Sequence, residues 1–90
     1  MRVELNLKRM QKKAEAHAYL AEQFEFPEYY GRNLDALYDA LSEKLSAEPY
    51  EIIIAGEGIE ETDEWGYAAG VMRVLRDLER RWPEGITVRM

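Results

Sequence analysis

A chain of 90 residues, 47% of them hydrophobic, with two Trp, six Tyr and two Phe, is long enough for one domain with one core. It has no cysteine, which excludes disulfides, thiolate zinc sites and thiol nucleophiles together. The net charge of −6 is concentrated in the middle: residues 28–64 hold eleven acids against two bases, a net of −9, while residues 1–27 come to +1 and residues 65–90 to +2.

RVELNL (2–7) alternates Val3, Leu5 and Leu7 with polar residues and reads as a half-buried strand. From Gln11 to Phe24, the positions Ala14, His17 with Ala18, Ala21 and Phe24 recur three or four residues apart, a helical stripe that ends before Pro27. Tyr29-Tyr30-Gly31 forms a turn. Asn33 is placed to cap a helix over 34–46, with Asp35 in the first turn, where an acid suits the helix dipole. That helix carries Leu34, Leu37, Leu41 and Leu45 along one stripe, to be buried. Residues 50–55 (YEIIIA) hold three consecutive isoleucines, the mark of a parallel strand covered on both faces. Residues 56–61 read as a turn with one short helix. Thr62 or Asp63 then caps a long helix to Trp82, with Ala68, Met72, Leu75, Leu78 and Trp82 inward. Pro83-Glu84-Gly85 stops it, and ITVRM (86–90) is a last strand. This order predicts a single α/β domain over 1–90. It is a three-stranded parallel sheet with right-handed crossovers, packed with about four helices mainly on one face and one edge.

No apolar run approaches the roughly 20 residues needed to span a bilayer. The charged start, MRVELNLKRM, carries no secretory apolar region, so a cytoplasmic protein that avoids membranes is expected. The acidic middle repels nucleic acid and attracts basic partners.

Gly56-x-Gly58 after the central strand looks like the start of a dinucleotide fingerprint. The third glycine position holds Glu61, however, and Glu57, Glu60 and Glu61 would repel a pyrophosphate. His17, the one histidine, lies on the inner edge of the first helix and reads as structural; alone it anchors no typical metal site. Ser42 and Ser46 sit in no nucleophile motif. Asp35 and Asp39 have a spacing that acid–base pairs and cation sites use, yet they project from an outer helix face rather than into a cleft. No catalytic residue, cofactor or metal is expected.

Helix geometry sharpens the reading of that face. At about 100° per residue, the four leucines centre on one side. Asp35, Asp39, Ser42, Glu43 and Ser46 spread over the other, with Tyr38 on the border. Asp39 has an acid four residues before it and another four after it, each pair destabilising by a few tenths of a kcal/mol. Nothing local offsets this. Uncompensated acids beside an aromatic fit a binding surface for a cationic partner, with a solvated acidic face as the plainer alternative.

The same stretch carries a family likeness. FPEYYGRNLDALYDAL (26–41) resembles the LPEYYGxNLDALWDxL segment of the barstar family of intracellular ribonuclease inhibitors. It agrees at Pro27, Glu28, Tyr29, Tyr30, Gly31, Asn33, Leu34, Asp35, Ala36, Leu37, Asp39 and Leu41. VMRVLRD (71–77) resembles the family's last-helix segment VLQVFRE. The resemblance implies a barstar-like fold and, as partner, a basic secreted microbial ribonuclease of guanyl specificity. The second helix and the loop before it would plug that enzyme's active site, with no direct contact to nucleic acid. Asp39 would be the main phosphate mimic and Asp35 the second acid. Tyr29 would stack over the catalytic histidine, Gly31 and Asn33 would line the approach, and Asp77 would add a peripheral charge. Tyr30, Tyr38, Ser42 and Glu43 complete the expected contact set.

Three positions depart from the family pattern. Tyr38 stands where tryptophan is familiar, Lys44 where the best-known member has another tryptophan, and Ala40 where it has a cysteine. A cation at Lys44 disfavours a basic surface, which keeps open a second reading: a barstar-fold module for a different basic protein or toxin. The resemblance also marks Glu48-Pro49 as a candidate cis bond, against a base rate of about 5–6%.

Overall fold

Alternation along β1 (Arg2–Asn6) buries Val3 and Leu5 and leaves Arg2 and Glu4 exposed. β1 pairs in parallel with β2 (Tyr50–Ala55), setting Val3 opposite Ile52 and Leu5 opposite Ile54. β2 pairs in parallel with β3 (Ile86–Arg89), setting Ile52 opposite Val88. The sheet order is therefore β1-β2-β3, as the element order predicts. The structure is a computed structural model that describes residues 1–55 and 65–89.

Among the described residues there are three α-helices, α1 (Lys13–Phe24), α2 (Leu34–Ala47) and α3 (Ala68–Arg81), with a 3-10 turn at Leu7–Arg9. The sequence predicts about four helices. The short one expected over 56–61 lies outside the described residues, as do Thr62 and Asp63. The long helix expected from a cap at Thr62 or Asp63 starts later: residues 65–67 are not α-helical, Gly66 takes φ +54°, and α3 begins at Ala68 after Tyr67. None of these helices is long and apolar enough to cross a membrane.

α1 presents a different stripe from the one its alanines mark. Ala16, His17, Tyr19, Leu20 and Phe24 are buried, while Ala14 and Ala18 are exposed. Covering Leu20 and Tyr19 removes far more apolar area from water than covering two methyl groups, so the large side chains set the roll of the helix. α2 buries Leu37 and Leu41 completely, with Leu34 and Leu45 half-buried at its flanks. Leu34 packs on α3 at Gly70, where a Cβ would come within 2.9 Å of Leu34 Cδ1. α3 buries Ala68, Val71, Met72, Leu75 and Leu78. Trp82 is not inward: the helix ends at Arg81, and Trp82 caps it at the surface, 36% exposed.

The isoleucine run is covered on one face more than the other. Ile52 and Ile54 join the core shared with the helices, but Ile53 is only partly buried. On its side of the sheet, Glu51 bridges Arg2 at 3.5 Å and Arg89 at 3.1 Å. The Glu48–Pro49 bond is trans, since no cis peptide occurs among the described residues. Glu48 is extended (φ −160°, ψ 156°), the conformation favoured before proline. Pro49 O then accepts the N-terminal ammonium at 2.7 Å, so the chain enters β2 directly.

Candidate functional site

Aromatic contacts hold the loop in front of α2. Phe26 stacks on Phe24 with ring centroids 5.6 Å apart and tilts against Tyr30 at 4.7 Å. Tyr30 is buried, and its hydroxyl lies 2.7 Å from His17 Nδ1; the Tyr67 hydroxyl lies 2.6 Å from His17 Nε2. Burial, and then the positive charges of Lys13 and Arg32, hold His17 below its usual 6.5. Burial pushes Tyr30 and Tyr67 above 10. All three groups are therefore neutral at pH 7, and a neutral imidazole has one donor and one acceptor. One tyrosine donates to His17 and the other accepts from it.

Anchoring Tyr30 inward leaves its neighbour Tyr29 outward, 87% exposed. Arg32 takes a left-handed conformation (φ 53°), and the chain turns there into α2. Asn33 is the N-cap that the sequence predicts: Oδ1 accepts from Ala36 N–H at 2.7 Å, and Nδ2 donates to Gly31 O at 3.3 Å. Gly31 folds close over that first turn, where a Cβ would meet Ala36 Cβ at 3.0 Å.

On α2, Asp35, Asp39 and Glu43 are exposed, and their carboxylates form no ion pair among the described residues. Tyr29, Tyr30, Gly31, Asp39, Glu43 and Lys44 line an open groove of about 200 Å³ between the loop and the helix. Phe26, Pro27, Ala36 and Ala40 supply more of its wall. The groove thus offers apolar surface beside two carboxylates and one ammonium, an arrangement suited to a flat, cationic side chain.

The other expected residues are placed differently. Asn33 and Asp35 stand at the start of α2, outside the groove lining. Ser42 turns its hydroxyl back to Tyr38 O at 2.8 Å, within its own helix. Tyr38 is half-buried, its ring 6.4 Å from that of Trp82, so it braces α2 against α3. Asp77, on α3, is ion-paired with Arg80. Tyr30 serves the site from beneath, through His17. Sequence reasoning did not single out Phe26, Ala36 or Tyr67. Phe26 and Ala36 lie within the 26–41 stretch but outside the expected contact set, and nothing in the sequence places Tyr67, 50 residues away, against His17.

No group of three or more His, Cys, Asp or Glu among the described residues has a metal-holding arrangement. A family model described as "Barstar (barnase inhibitor)" matches residues 1–90. The chain belongs to the barstar family. It is also similar to a Bacillus subtilis (strain 168) protein named "Putative ribonuclease inhibitor YrdF", 33% identical over 63 residues, 70% of this chain and 68% of that protein. Barstar membership points to an inhibitor rather than an enzyme. The loop and α2 face built above hold the FPEYYGRNLDALYDAL stretch (26–41) that resembles the family's pattern.

Proposed function

We propose that the chain inhibits a basic, guanyl-specific microbial ribonuclease in the cytoplasm of the producing cell by filling its active site. One observation carries the reading: Asp35, Asp39 and Glu43 stand exposed along α2 with no ion pair among the described residues, beside an exposed Tyr29 and an open groove. Carboxylates held in that row stand in for RNA phosphates, and the enzyme's own phosphate-binding cations supply the charge that α2 lacks. Tyr29 is free to stack on a flat ring in the cleft, and Asp39, inside the groove, is the main phosphate mimic. Opposed fields make association fast and salt-sensitive. Titration of a purified microbial ribonuclease against this protein tests it. Stoichiometric loss of RNA cleavage is expected, and no loss at micromolar inhibitor refutes it.

A second reading has an observation of its own. Lys44 lines the groove with Asp39 and Glu43, so a cation sits where a uniformly basic cleft would be repelled. A partner with a carboxylate opposite Lys44, and no ribonuclease activity, would fit this wall better. Capture of such a protein by the chain, with RNA cleavage untouched, decides for that reading.

A further inference from the structure

α2 and α3 lie side by side, in contact at Leu34 with Gly70 and at Tyr38 with Trp82. Each leads into a strand of the parallel sheet, so the two run in the same sense. Their outward faces carry opposite charge. α2 shows Asp35, Asp39 and Glu43. On α3, Arg73, Arg76 and Arg80 recur at three- and four-residue spacing, fall on one face at about 100° per residue, and are all exposed. Glu79 points elsewhere, its carboxylate accepting Val88 N–H at 2.8 Å. Asp77, on the same helix, is ion-paired with Arg80.

We propose that this two-signed face docks a second copy of the chain, α2 of each copy lying on α3 of the other. A layer of two parallel helices, one acidic and one basic, is self-complementary about a two-fold axis running along the helices. That rotation carries each acidic row over the other copy's arginines and makes both contacts at once. Arginine suits the contact because its planar fork meets a carboxylate in two hydrogen bonds.

The same layout argues against RNA as the occupant. Phosphates drawn to Arg73 and Arg80 would lie about one helix spacing, roughly 8–10 Å, from the α2 carboxylates, within a Debye length at ordinary salt. A second copy meets that mixed field with its own mixed field. The face is small. Helices of 14 residues are about 21 Å long, and two of them side by side offer roughly 400 Å² per copy, half of what a standard stable interface buries. The dimer is therefore weak and salt-dependent. It also covers Asp35 and Asp39, so it competes with a ribonuclease; this consequence alone rests on the function proposed above.

Sedimentation equilibrium of the full chain at about 1 mM, in about 20 mM and about 500 mM NaCl, tests the dimer. The weight-average mass should rise from 10.5 kDa toward twice that value at low salt and return at high salt. Arg73→Glu with Arg80→Glu, and separately Asp39→Lys with Glu43→Lys, should each stay monomeric at low salt. Mixed together, these two variants should form a one-to-one dimer, because both contacts are again opposite in sign. All four positions are exposed, and far-UV circular dichroism matching the parent confirms folding. A parent that stays monomeric at low salt, or a dimer indifferent to salt, overturns the proposal. So does a mixture of the reversed variants that fails to associate. Salt-sensitive binding of a short single-stranded oligoribonucleotide, lost in Arg73→Glu/Arg80→Glu with no dimer formed, makes nucleic acid the occupant and overturns it as well.

Discussion

His17 and Tyr30 are joined by a 2.7 Å hydrogen bond that ties α1 to the loop in front of α2. The bond couples the stability of the core to the shape of the loop before α2, because Tyr29 faces outward only while Tyr30 is held inward. His17→Ala leaves the Tyr30 hydroxyl without this partner in the core, removes the partner of Tyr67, and opens a cavity. A loss of about 2–4 kcal/mol is expected. Urea unfolding measures it, and a loss below about 1 kcal/mol would mean that water replaces the imidazole at little expense.

The lowered pKa of His17 gives stability a pH dependence of definite sign. In the unfolded chain His17 titrates near 6.5; in the fold, burial, then Lys13 and Arg32, lower it. Between the two values the unfolded chain binds the proton and the native one does not. This contribution is therefore complete above 6.5 and is lost as pH falls toward the folded pKa, levelling off below it. Tyr30 and Tyr67, raised above 10 by burial, act at the other end and weaken the fold as pH climbs past 10. Acidification from about pH 7 to about pH 5 should lower the urea midpoint more steeply in the parent than in His17→Gln. Equal slopes would assign the effect to other groups.

Gly66 delivers Tyr67 to His17, and no side chain fits there. Its φ is +54°, and a Cβ would stand 2.6 Å from Gln11 O, a backbone atom that cannot swing aside. The adjoining Tyr67 N–H donates to the same carbonyl at 2.9 Å. Gly66→Ala must break that approach, with the Tyr67–His17 bond behind it. A loss of more than about 2 kcal/mol is expected, which for a domain of this size lowers Tm by roughly 10 °C. A variant with the parent Tm would show that the loop from Met10 can move away freely.

The parts of this protein that were legible in its sequence rest on large side chains at regular spacing or on local polar chemistry. Val3 and Leu5 alternate, Leu37 and Leu41 share a stripe, and the Asn33 side chain reaches an amide three residues on. Reading failed where small residues made the pattern, as at Ala14 and Ala18, because a methyl group buries too little area to orient a helix. It failed at Trp82, which follows the last helical residue, so helical periodicity no longer applies to it. Ile53 misled because a run of β-branched residues marks strand propensity as well as two-sided burial. The groove was partly visible, since its walls come from residues 26–44. Its support was not, since the Tyr67–His17 bond spans 50 residues and exists only once α3 has packed.

α1 ends without glycine. Glu25 takes φ 54° at the C-cap while its N–H donates to Ala21 O. A left-handed conformation costs an L-residue roughly 1–2 kcal/mol, and glycine would relieve it while giving back part through its freer unfolded chain. Glu25→Gly should therefore stabilise the protein by about 0.5 kcal/mol. Calorimetry should show a Tm higher by a few degrees. A lower Tm would mean that the Glu25 side chain contributes something that its exposure hides.

Asp39 should separate stability from binding. Its carboxylate lies four residues from Asp35 and four from Glu43, with no ion pair among the described residues. Asp39→Ala removes two like-charge pairs and installs a better helix former, so the free protein should gain about 0.5–1 kcal/mol. If the chain inhibits a microbial ribonuclease as proposed, affinity for that enzyme should move the other way, by about 2–5 kcal/mol, a range to which the best-studied complex of this family itself contributes. The two measurements, urea unfolding and inhibition titration, are independent. A variant that is more stable and binds as tightly as the parent would reduce the α2 row to a solvated face. One that is more stable and binds at least roughly 30-fold more weakly would show that Asp39 is kept in the helix for what it meets on another molecule.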